Sequence, residues 1–343
     1  MISVIIAVKN GERTIKKCLG SVFGLRYHNF EVIVVNDGST DSTKEILSTF
    51  KIRNLENKDV AWQVIDTSGL GPSEARNLGV KQANGEYVVF TDADCMVAPS
   101  WLNELMKGFE LIPGSSFINP QTPVRDLKLV VGVGGLQLSP EDDTSFGRML
   151  GGFLSTIGFI TDYIKPKYSA LSKRYMQETS HNPSCNVMYK KEIFEKTGGF
   201  LKGMWPGEDV EFDYRLKKAG YILLFNPGAV VFHYRCENLR KFRKMMLNYG
   251  RVQGELVKMH GFFRKIQYVP MILAVLLLVE LAILLMNLKL GLYLVLAAGL
   301  TGYVYFLTKA RKPNLAMNYL SLMVFTLIFW NYGFVKGITK NRR

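Results

Sequence analysis

The chain has 343 residues, 48% of them hydrophobic, and its mean hydropathy of +0.08 is high for a protein that is soluble throughout. Its four cysteines lie far apart, which excludes a small disulfide-stapled fold; we expect reduced, structural thiols and assign them no chemistry. The formal net charge of +14 is compatible with nucleic acid, an anionic membrane or a phosphorylated ligand, and the positions of the basic residues decide among these.

Short apolar runs alternate with helical stretches through the N-terminal part of the chain. Such runs occupy Ile2–Val8, 30–35, 62–65 and 88–90, and a loop and a helical pattern follow each of the first three. This alternation predicts an α/β domain with a doubly wound parallel sheet, in which ligands bind at the carboxyl ends of the strands.

Acidic side chains follow two of these runs. Asp37 ends the second run, and Asp92 and Asp94 end the fourth. Because the carboxyl ends of parallel strands share one edge of a sheet, we expect these carboxylates to lie close together, where a nucleotide would bind. Asp37 can accept hydrogen bonds from a base or a ribose hydroxyl, and the later pair suits a hard cation such as Mg²⁺ or Mn²⁺. Alone, the pair fits a solvated acidic loop equally well.

Several motifs in a fixed order resemble the family 2 glycosyltransferases, which have a GT-A fold. They are SVIIAVKN at 3–10, VVNDGSTD at 34–41, ARNLG at 75–79, DAD at 92–94, NVMY at 186–189, GGF at 198–200 and GED at 207–209. The resemblance covers about two-thirds of the chain. Ala7 departs from it, because the family usually has proline there; we expect a change in the rigidity of the first loop and no loss of activity.

The resemblance implies transfer of a sugar from a nucleotide sugar to an acceptor, with inversion at the anomeric carbon. It makes Asp209 the base that takes the acceptor's proton, with Glu208 beside it as a positioning or acceptor-binding group. A helix beginning at these residues favours the ionised carboxylate, whereas burial and the neighbouring acid raise a pKa, and the sequence does not decide between them.

The resemblance, together with the position of the residues in the chain, gives the other candidate site residues. Those expected at the nucleotide are Ala7, Lys9, Asn10, Asp37, Arg76, Asp92 and Ala93. Those expected at a divalent cation, Mn²⁺ or Mg²⁺, are Asp92, Asp94 and His233. Candidates for the acceptor or its phosphate are Asn186, Trp205 and Arg235.

The region between these motifs is less informative. The glycine-rich stretch 130–135 is not a dinucleotide loop, because Gln137 stands where a third glycine is needed. The apolar stretch 149–160 precedes lysines and an arginine at 165, 167, 173 and 174. Two interpretations remain open for it: an amphipathic element on the membrane surface, or ordinary packing.

The C-terminal part is predicted to bind a membrane. Residues 235–268 interleave basic and apolar side chains, which is typical of a helix on an anionic membrane surface, and no nucleic-acid-binding module accompanies them. Apolar segments at 269–288, 291–307 and 315–335 predict three spans. Basic groups at 264–265 and 309–312 agree with a cytoplasmic catalytic domain. A third group at the C-terminus would then lie outside, so either the last segment is re-entrant or the positive-inside rule is broken.

Together these features predict a GT-A catalytic domain at 1–234, a basic interfacial segment at 235–268 and a transmembrane region at 269–343, anchored in the cell membrane with the catalytic domain in the cytoplasm. The expected donor is a UDP-sugar, and the expected acceptor is a lipid-linked (polyprenyl) molecule or a glycan. The Gln-x-x-Arg-Trp motif of processive synthases is absent, which favours addition of a single sugar. The alternatives are a polyprenyl-phosphate sugar synthase and a non-catalytic membrane scaffold that binds nucleotide sugar. The oligomeric state stays open.

Overall fold

The structure, a computed structural model, describes residues 1–54, 60–113, 115, 117–118, 124–157, 164–165 and 175–339, with the side chains of 51–54 and 164–165 excepted. The described residues form two units. The first comprises those of Met1–Asp143 and Tyr163–Tyr234, and the second those of Thr144–Asp162 and Arg235–Arg343.

Ten strands within the described residues form one sheet, which belongs to the first unit. They are β1 (Ile2–Val8), β2 (Phe30–Asp37), β3 (Ala61–Thr67), β4 (Tyr87–Asp92), β5 (Cys95–Val97), β6 (Val130–Leu138), β7 (Ile164–Lys165), β8 (Gln177–Thr179), β9 (Val187–Lys190) and β10 (Ile222–His233). The α-helices of both units, in chain order, are α1 (Ile15–Phe23), α2 (Thr43–Asn54), α3 (Pro72–Gln82), α4 (Trp101–Lys107), α5 (Ser145–Thr156), α6 (Lys191–Lys196), α7 (Glu208–Lys218), α8 (Leu239–His260), α9 (Val269–Met286), α10 (Leu288–Ala310) and α11 (Pro313–Thr339).

The sheet is parallel in its N-terminal half and mixed beyond it. The strand order is β3-β2-β1-β4-β9-β6-β10-β5, with β7 beside β6 and β8 beside β10. Strands β3, β2, β1 and β4 are parallel neighbours, which confirms the predicted alternation. Strand β9 is antiparallel to both β4 and β6. The glycine-rich stretch rejected as a dinucleotide loop is the buried strand β6.

Helices cover both faces of the parallel strands. In β1, Val4 and Ile6 pack into an apolar cluster that includes Leu19 of α1, whereas Ile5 packs into a second cluster with Val80 of α3. This alternation arises because successive side chains of a strand point to opposite faces. With both faces buried, only the edge formed by the strand ends remains for polar ligands.

The second unit is helical. Among its described helices, α9 with the turn before it, α10 and α11 are long and apolar enough to cross a membrane. Helix α5 packs into this unit, since the ring of Phe153 lies 6.1 Å from that of Phe306 and 5.9 Å from that of Tyr319. The structure therefore supports packing for the part of the stretch 149–160 that it describes; residues 158–160, 167, 173 and 174 and the side chain of Lys165 lie outside the described residues.

Candidate active site

Asp37 lies at the carboxyl end of β2 and is 3% exposed. Its carboxylate accepts hydrogen bonds from the hydroxyl of Thr67 (2.6 Å) and from the backbone N–H groups of Leu70 (2.6 Å) and Gly71 (2.9 Å). Burial raises the pKa of Asp37. The hydrogen bonds together lower the pKa by more than burial raises it, so the pKa of Asp37 lies below its ordinary value. The carboxylate is an ionised part of this edge, and its contact with a base or ribose remains a prediction.

The loop after β1 borders the same edge. Ala7 is half-buried near the end of β1, and Lys9 and Asn10 are exposed directly after it. The side-chain oxygen of Asn10, whose φ is 56°, accepts a hydrogen bond from the backbone N–H of Thr40 (2.8 Å). This bond joins the loops that follow β1 and β2. Ala93 is 9% exposed in the loop after β4. These residues thus share the predicted edge, and their role at a nucleotide stays a prediction.

Arg76 of α3 connects two acids that are distant in sequence. The guanidinium is 5% exposed, and it donates from Nη2 to Asp92 (2.6 Å) and from Nη1 to Glu208 (2.7 Å). The negative charges of Asp92 and Glu208 raise the pKa of Arg76 against the effect of its burial. Since both ends of the guanidinium are occupied by the protein, we assign Arg76 to holding Asp92 and Glu208 rather than to direct contact with a nucleotide.

Glu208 and Asp209 begin α7 but have different environments. Glu208 is 2% exposed and its Oε2 has no hydrogen-bond partner among the described residues. Burial first and the charge of Asp209 second raise the pKa of Glu208 to about 7, although Arg76 opposes this. Asp209 is half-buried, and its two oxygens accept backbone N–H groups from Ser184 and Val210, each at 2.8 Å. The expected base therefore has a fixed carboxylate beside a buried acid.

Asp94 and His233 face each other at the end of the sheet. Nε2 of His233 lies 3.4 Å from Oδ1 of Asp94, whose side chain is 48% exposed. On the other side of the ring, Nδ1 of His233 lies 3.1 Å from the side-chain oxygen of Gln137. An N–H at Nδ1 would donate to Gln137 and leave the lone pair of Nε2 directed at Asp94. A carboxylate and an imidazole nitrogen are suitable ligands for Mn²⁺.

A thiol pair adjoins the same histidine. The sulfurs of Cys95 and Cys185 and a ring nitrogen of His233 all lie within 4.8 Å of one another. A hydrogen bond from Cys95 lowers the pKa of the Cys185 thiol against the effect of its burial, whereas burial raises the pKa of Cys95. The sequence spacing gave no signal for this cluster, because the two cysteines are ninety positions apart.

The three candidates for contact with the acceptor have different environments. Asn186 is completely buried: its side-chain oxygen accepts from the indole of Trp101 (2.8 Å) and its amide donates to two backbone carbonyls. We therefore do not retain Asn186 as an acceptor contact. Trp205 is 49% exposed, in the loop before α7. Arg235 belongs to the second unit. The roles of Trp205 and Arg235 stay predictions.

Comparison with known proteins identifies the family. A family model described as glycosyl transferase family 2 matches residues 3–198, more than half of the chain. The chain belongs to glycosyl transferase family 2. The resemblance found in the sequence motifs is thereby confirmed, and with it the assignment to the glycosyltransferases.

Two relatives match this family 2 glycosyltransferase over most of its length. One is the dolichyl N-acetyl-alpha-D-glucosaminyl phosphate 3-beta-D-2,3-diacetamido-2,3-dideoxy-beta-D-glucuronosyltransferase of Methanococcus voltae, which is 24% identical over 348 residues, or 99% of this chain and 97% of the relative. The other is glycosyltransferase AglE of Haloferax volcanii, which is 29% identical over 253 residues, or 73% of this chain and 71% of the relative.

Solved structures confirm the fold. The mannosyltransferase PcManGT of Pyrobaculum calidifontis, in complex with GDP-Man and Mn²⁺, aligns with a TM-score of 0.58 and 18% identity over 98% of this chain and 87% of that one. GalNAc-T7 with UDP, GalNAc and Mn²⁺ aligns with a TM-score of 0.50 and 19% identity over 74% of this chain and 47% of that one. The predicted GT-A architecture is thus confirmed.

One polar cluster of this family 2 glycosyltransferase lies outside the motifs except for Tyr189. Asp213 lies one helical turn after Asp209 on α7 and is completely buried. It accepts hydrogen bonds from the hydroxyl of Tyr189 (2.7 Å) and the backbone N–H of Asn182 (2.8 Å), and His181 lies 2.9 Å away. Burial raises the pKa of Asp213 despite these partners. The cluster fixes α7, and hence Asp209, to the segment before β9.

Proposed function

We propose that this glycosyltransferase is a metal-dependent, inverting enzyme that transfers a sugar from a nucleoside-diphosphate sugar to a lipid-linked acceptor at the cytoplasmic face of the membrane. The observation that carries the proposal is the bridge from Asp92 through Arg76 to Glu208, which is next to Asp209. It joins the acidic edge expected at the donor to the expected base through one partly buried and one buried ion pair.

The residues at the end of the sheet fit a divalent cation. Asp94 and His233 offer a carboxylate and an imidazole ligand beside each other, and Asp92, which pairs with Arg76, offers a second carboxylate; half of the Asp94 side chain is open to solvent. When bound there, Mn²⁺ or Mg²⁺ would neutralise the charge that develops on the departing diphosphate. A hydrogen bond from an N–H at His233 Nδ1 to the side-chain oxygen of Gln137 would hold the tautomer whose Nε2 can act as a ligand.

Asp209 is suited to accept the acceptor's proton. Its carboxylate is held by two backbone N–H groups and remains partly exposed, so that a hydroxyl can reach it. In a single displacement, the acceptor oxygen attacks the anomeric carbon, its proton passes to Asp209, and the bond to the diphosphate breaks. Attack opposite to the leaving group inverts the anomeric centre. Glu208 acts on this step by positioning, because it is buried against Arg76.

Two kinds of support bear on the substrates. The Methanococcus voltae relative matches 99% of this chain, and its name describes transfer to a dolichyl-linked sugar phosphate. The apolar helices of the second unit agree with an acceptor held in a bilayer, because anchoring concentrates enzyme and lipid at one surface. The solved neighbours carry GDP-Man in one case and UDP in the other. We retain a UDP-sugar as the expected donor.

The test uses the full chain in detergent with Mn²⁺ and labelled UDP- and GDP-sugars. Each donor is offered polyprenyl phosphate, a polyprenyl-linked sugar phosphate or a free sugar. We expect transfer to the lipid-linked sugar, with an inverted anomeric centre by NMR, and loss of transfer in both Asp209→Asn and Asp94→Ala. Transfer only to polyprenyl phosphate would favour the lipid monophosphate sugar synthase. Transfer only to free sugars, or full activity of Asp209→Asn, would refute the proposal.

A further inference from the structure

The beginning of α11 packs against α5. The ring of Tyr319 lies 5.9 Å from that of Phe153, and a side chain at Gly152 would collide with the Tyr319 hydroxyl. The chain enters α5 from the first unit at Asp143 and returns to the first unit at Tyr163. Two crossings of a bilayer would be needed to place α5 on the far side, and this short segment cannot supply them. Tyr319 therefore lies on the side that holds the first unit.

The end of α11 packs against α8 along a line of glycines. Side chains added at these glycines would collide with backbone carbonyls of the other helix: Gly250 with Trp330, Gly254 with Phe334, Gly333 with Leu247 and Gly337 with Arg251. Small residues four positions apart on both helices are the usual means by which two helix backbones approach this closely. One helix therefore cannot lie at a different depth in the membrane from the other along this line.

Helix α8 is too highly charged to enter the hydrocarbon. It carries Arg240, Lys241, Arg243, Lys244, Arg251, Glu255 and Lys258. The guanidinium of Arg243 lies 5.9 Å from the ring centre of Phe329, and Arg251 pairs with Glu255 at 2.6 Å. Charged groups are costly at membrane depth, so α8 stays at the polar surface. The part of α11 in contact with it, 325–338, stays there too.

The remaining part of α11 is too short to cross. Residues 313–324 make about 18 Å of helix at about 1.5 Å per residue. The hydrocarbon core is about 30 Å thick. Helix α11 also has the lowest mean hydropathy of the three candidate spans, 1.3 against 2.8 for the segment containing α9 and 1.8 for α10. Length and apolarity alone therefore overstate the number of spans.

We propose that α9 and α10 form a two-span hairpin, and that α11 lies beside α8 on the membrane surface without crossing. Its exposed apolar side chains follow one face at helical spacing: Met317, Val324, Ile328, Tyr332 and Val335. This stripe, flanked by the basic residues of α8, fits the headgroup region of an anionic lipid surface. The C-terminus then lies on the same side as the first unit. All three basic groups share that side, and the conflict with the positive-inside rule disappears.

The proposal is independent of the chemistry at Asp209 and is tested by labelling from one side. Single cysteines replace Glu192, Asn287, Lys312 and Thr339 in the full chain, and sealed vesicles of known orientation are treated with a membrane-impermeant maleimide. The unsubstituted chain, whose cysteines are buried or half-buried, gives the background. We expect Glu192→Cys, Lys312→Cys and Thr339→Cys to react from one side and Asn287→Cys from the other. Reaction of Thr339→Cys from the same side as Asn287→Cys would overturn the proposal.

A depth measurement separates a surface helix from a re-entrant one. Nitroxide labels are placed at Ile328 and, as the matched control, at Leu278 of α9, both of which are exposed. Their accessibilities to oxygen and to a polar relaxation agent report depth in a bilayer containing anionic lipid. We expect Ile328 at the level of the headgroups and Leu278 near the bilayer centre. Equal depth of the two labels would overturn the proposal.

Discussion

Replacing Glu208 with glutamine is expected to change how the stability of the first unit depends on pH. The pKa of Glu208 is raised from 4.5 to about 7, chiefly by burial. Between these values the folded state binds the proton more tightly than the unfolded state does, so the stability from this group is present below pH 4.5 and is lost as pH rises through 7. At about 1.4 kcal/mol per pH unit, the natural chain loses about 3 kcal/mol more than Glu208→Gln across this interval.

Urea unfolding of the full chain in detergent measures this difference, with tryptophan fluorescence as the signal. Trp101 is fully buried in the first unit and makes the signal sensitive to it. The matched control is Glu192→Gln, which replaces an exposed glutamate instead of a buried one. The pH profile of this control should follow that of the natural chain. Parallel profiles for the natural chain and Glu208→Gln would refute the reasoning, because Glu208 would then titrate alike in both states.

Three further predictions concern the cation and the helix pair. Asp94→Ala is expected to abolish Mn²⁺ binding measured by electron paramagnetic resonance, whereas Asp94→Glu, which keeps a carboxylate, retains part of it; equal binding by both would contradict the assignment. Gln137→Leu removes the acceptor for His233 Nδ1–H and is expected to weaken Mn²⁺ binding about 10-fold. Gln137→Glu keeps an acceptor at this position and is expected to restore Mn²⁺ binding. An unchanged Mn²⁺ affinity of Gln137→Leu would count against this positioning role. Gly333→Leu collides with the backbone of α8 and should lower the thermal midpoint in detergent, whereas Gly299→Leu, in open space on α10, should leave it unchanged.

The parallel edge of the sheet could be predicted because its signals are local. The strands β1, β2 and β4 are mainly apolar, with Ser3 and Glu31 as the interruptions near the starts of β1 and β2, and Asp37 and Asp92 terminate two of the strands. Parallel pairing then requires the strand ends to meet, so the position of both carboxylates followed without knowledge of register. Asp209 was assigned differently, through the family resemblance of the motif at 207–209, and its role as the base stays a prediction.

The residues that approach this edge from the other half of the sheet gave no such signal. Gln137 comes from β6 and Ser184 from the segment before β9, and neither was singled out as a site residue; His233, at the end of β10, was assigned only through the family resemblance. Their convergence depends on β9 running antiparallel between β4 and β6, and an apolar run does not reveal the direction of a strand. The burial of Asn186 depends on its bond with Trp101, which is eighty-five positions away. The convergence of these site residues and the burial of Asn186 therefore depend on how segments distant in sequence pair and pack.

The charges of the site connect its two halves. Asp92, Asp94, Glu208 and Asp209 carry carboxylates, and Arg76 pairs with two of them. Burial is the largest cause of the raised pKa of Glu208. The negative charges of Asp209 and Asp92 also raise this pKa, and the positive charge of Arg76 opposes them. A divalent cation held by Asp92 and Asp94 adds positive charge and should therefore lower the pKa of Glu208. Because Mn²⁺ binding to carboxylates and His233 itself depends on pH, it changes both profiles; saturating Mn²⁺ is then expected to reduce the difference between the pH profile of the natural chain and that of Glu208→Gln. The same change in both profiles would show that Glu208 and the cation site are not electrostatically coupled.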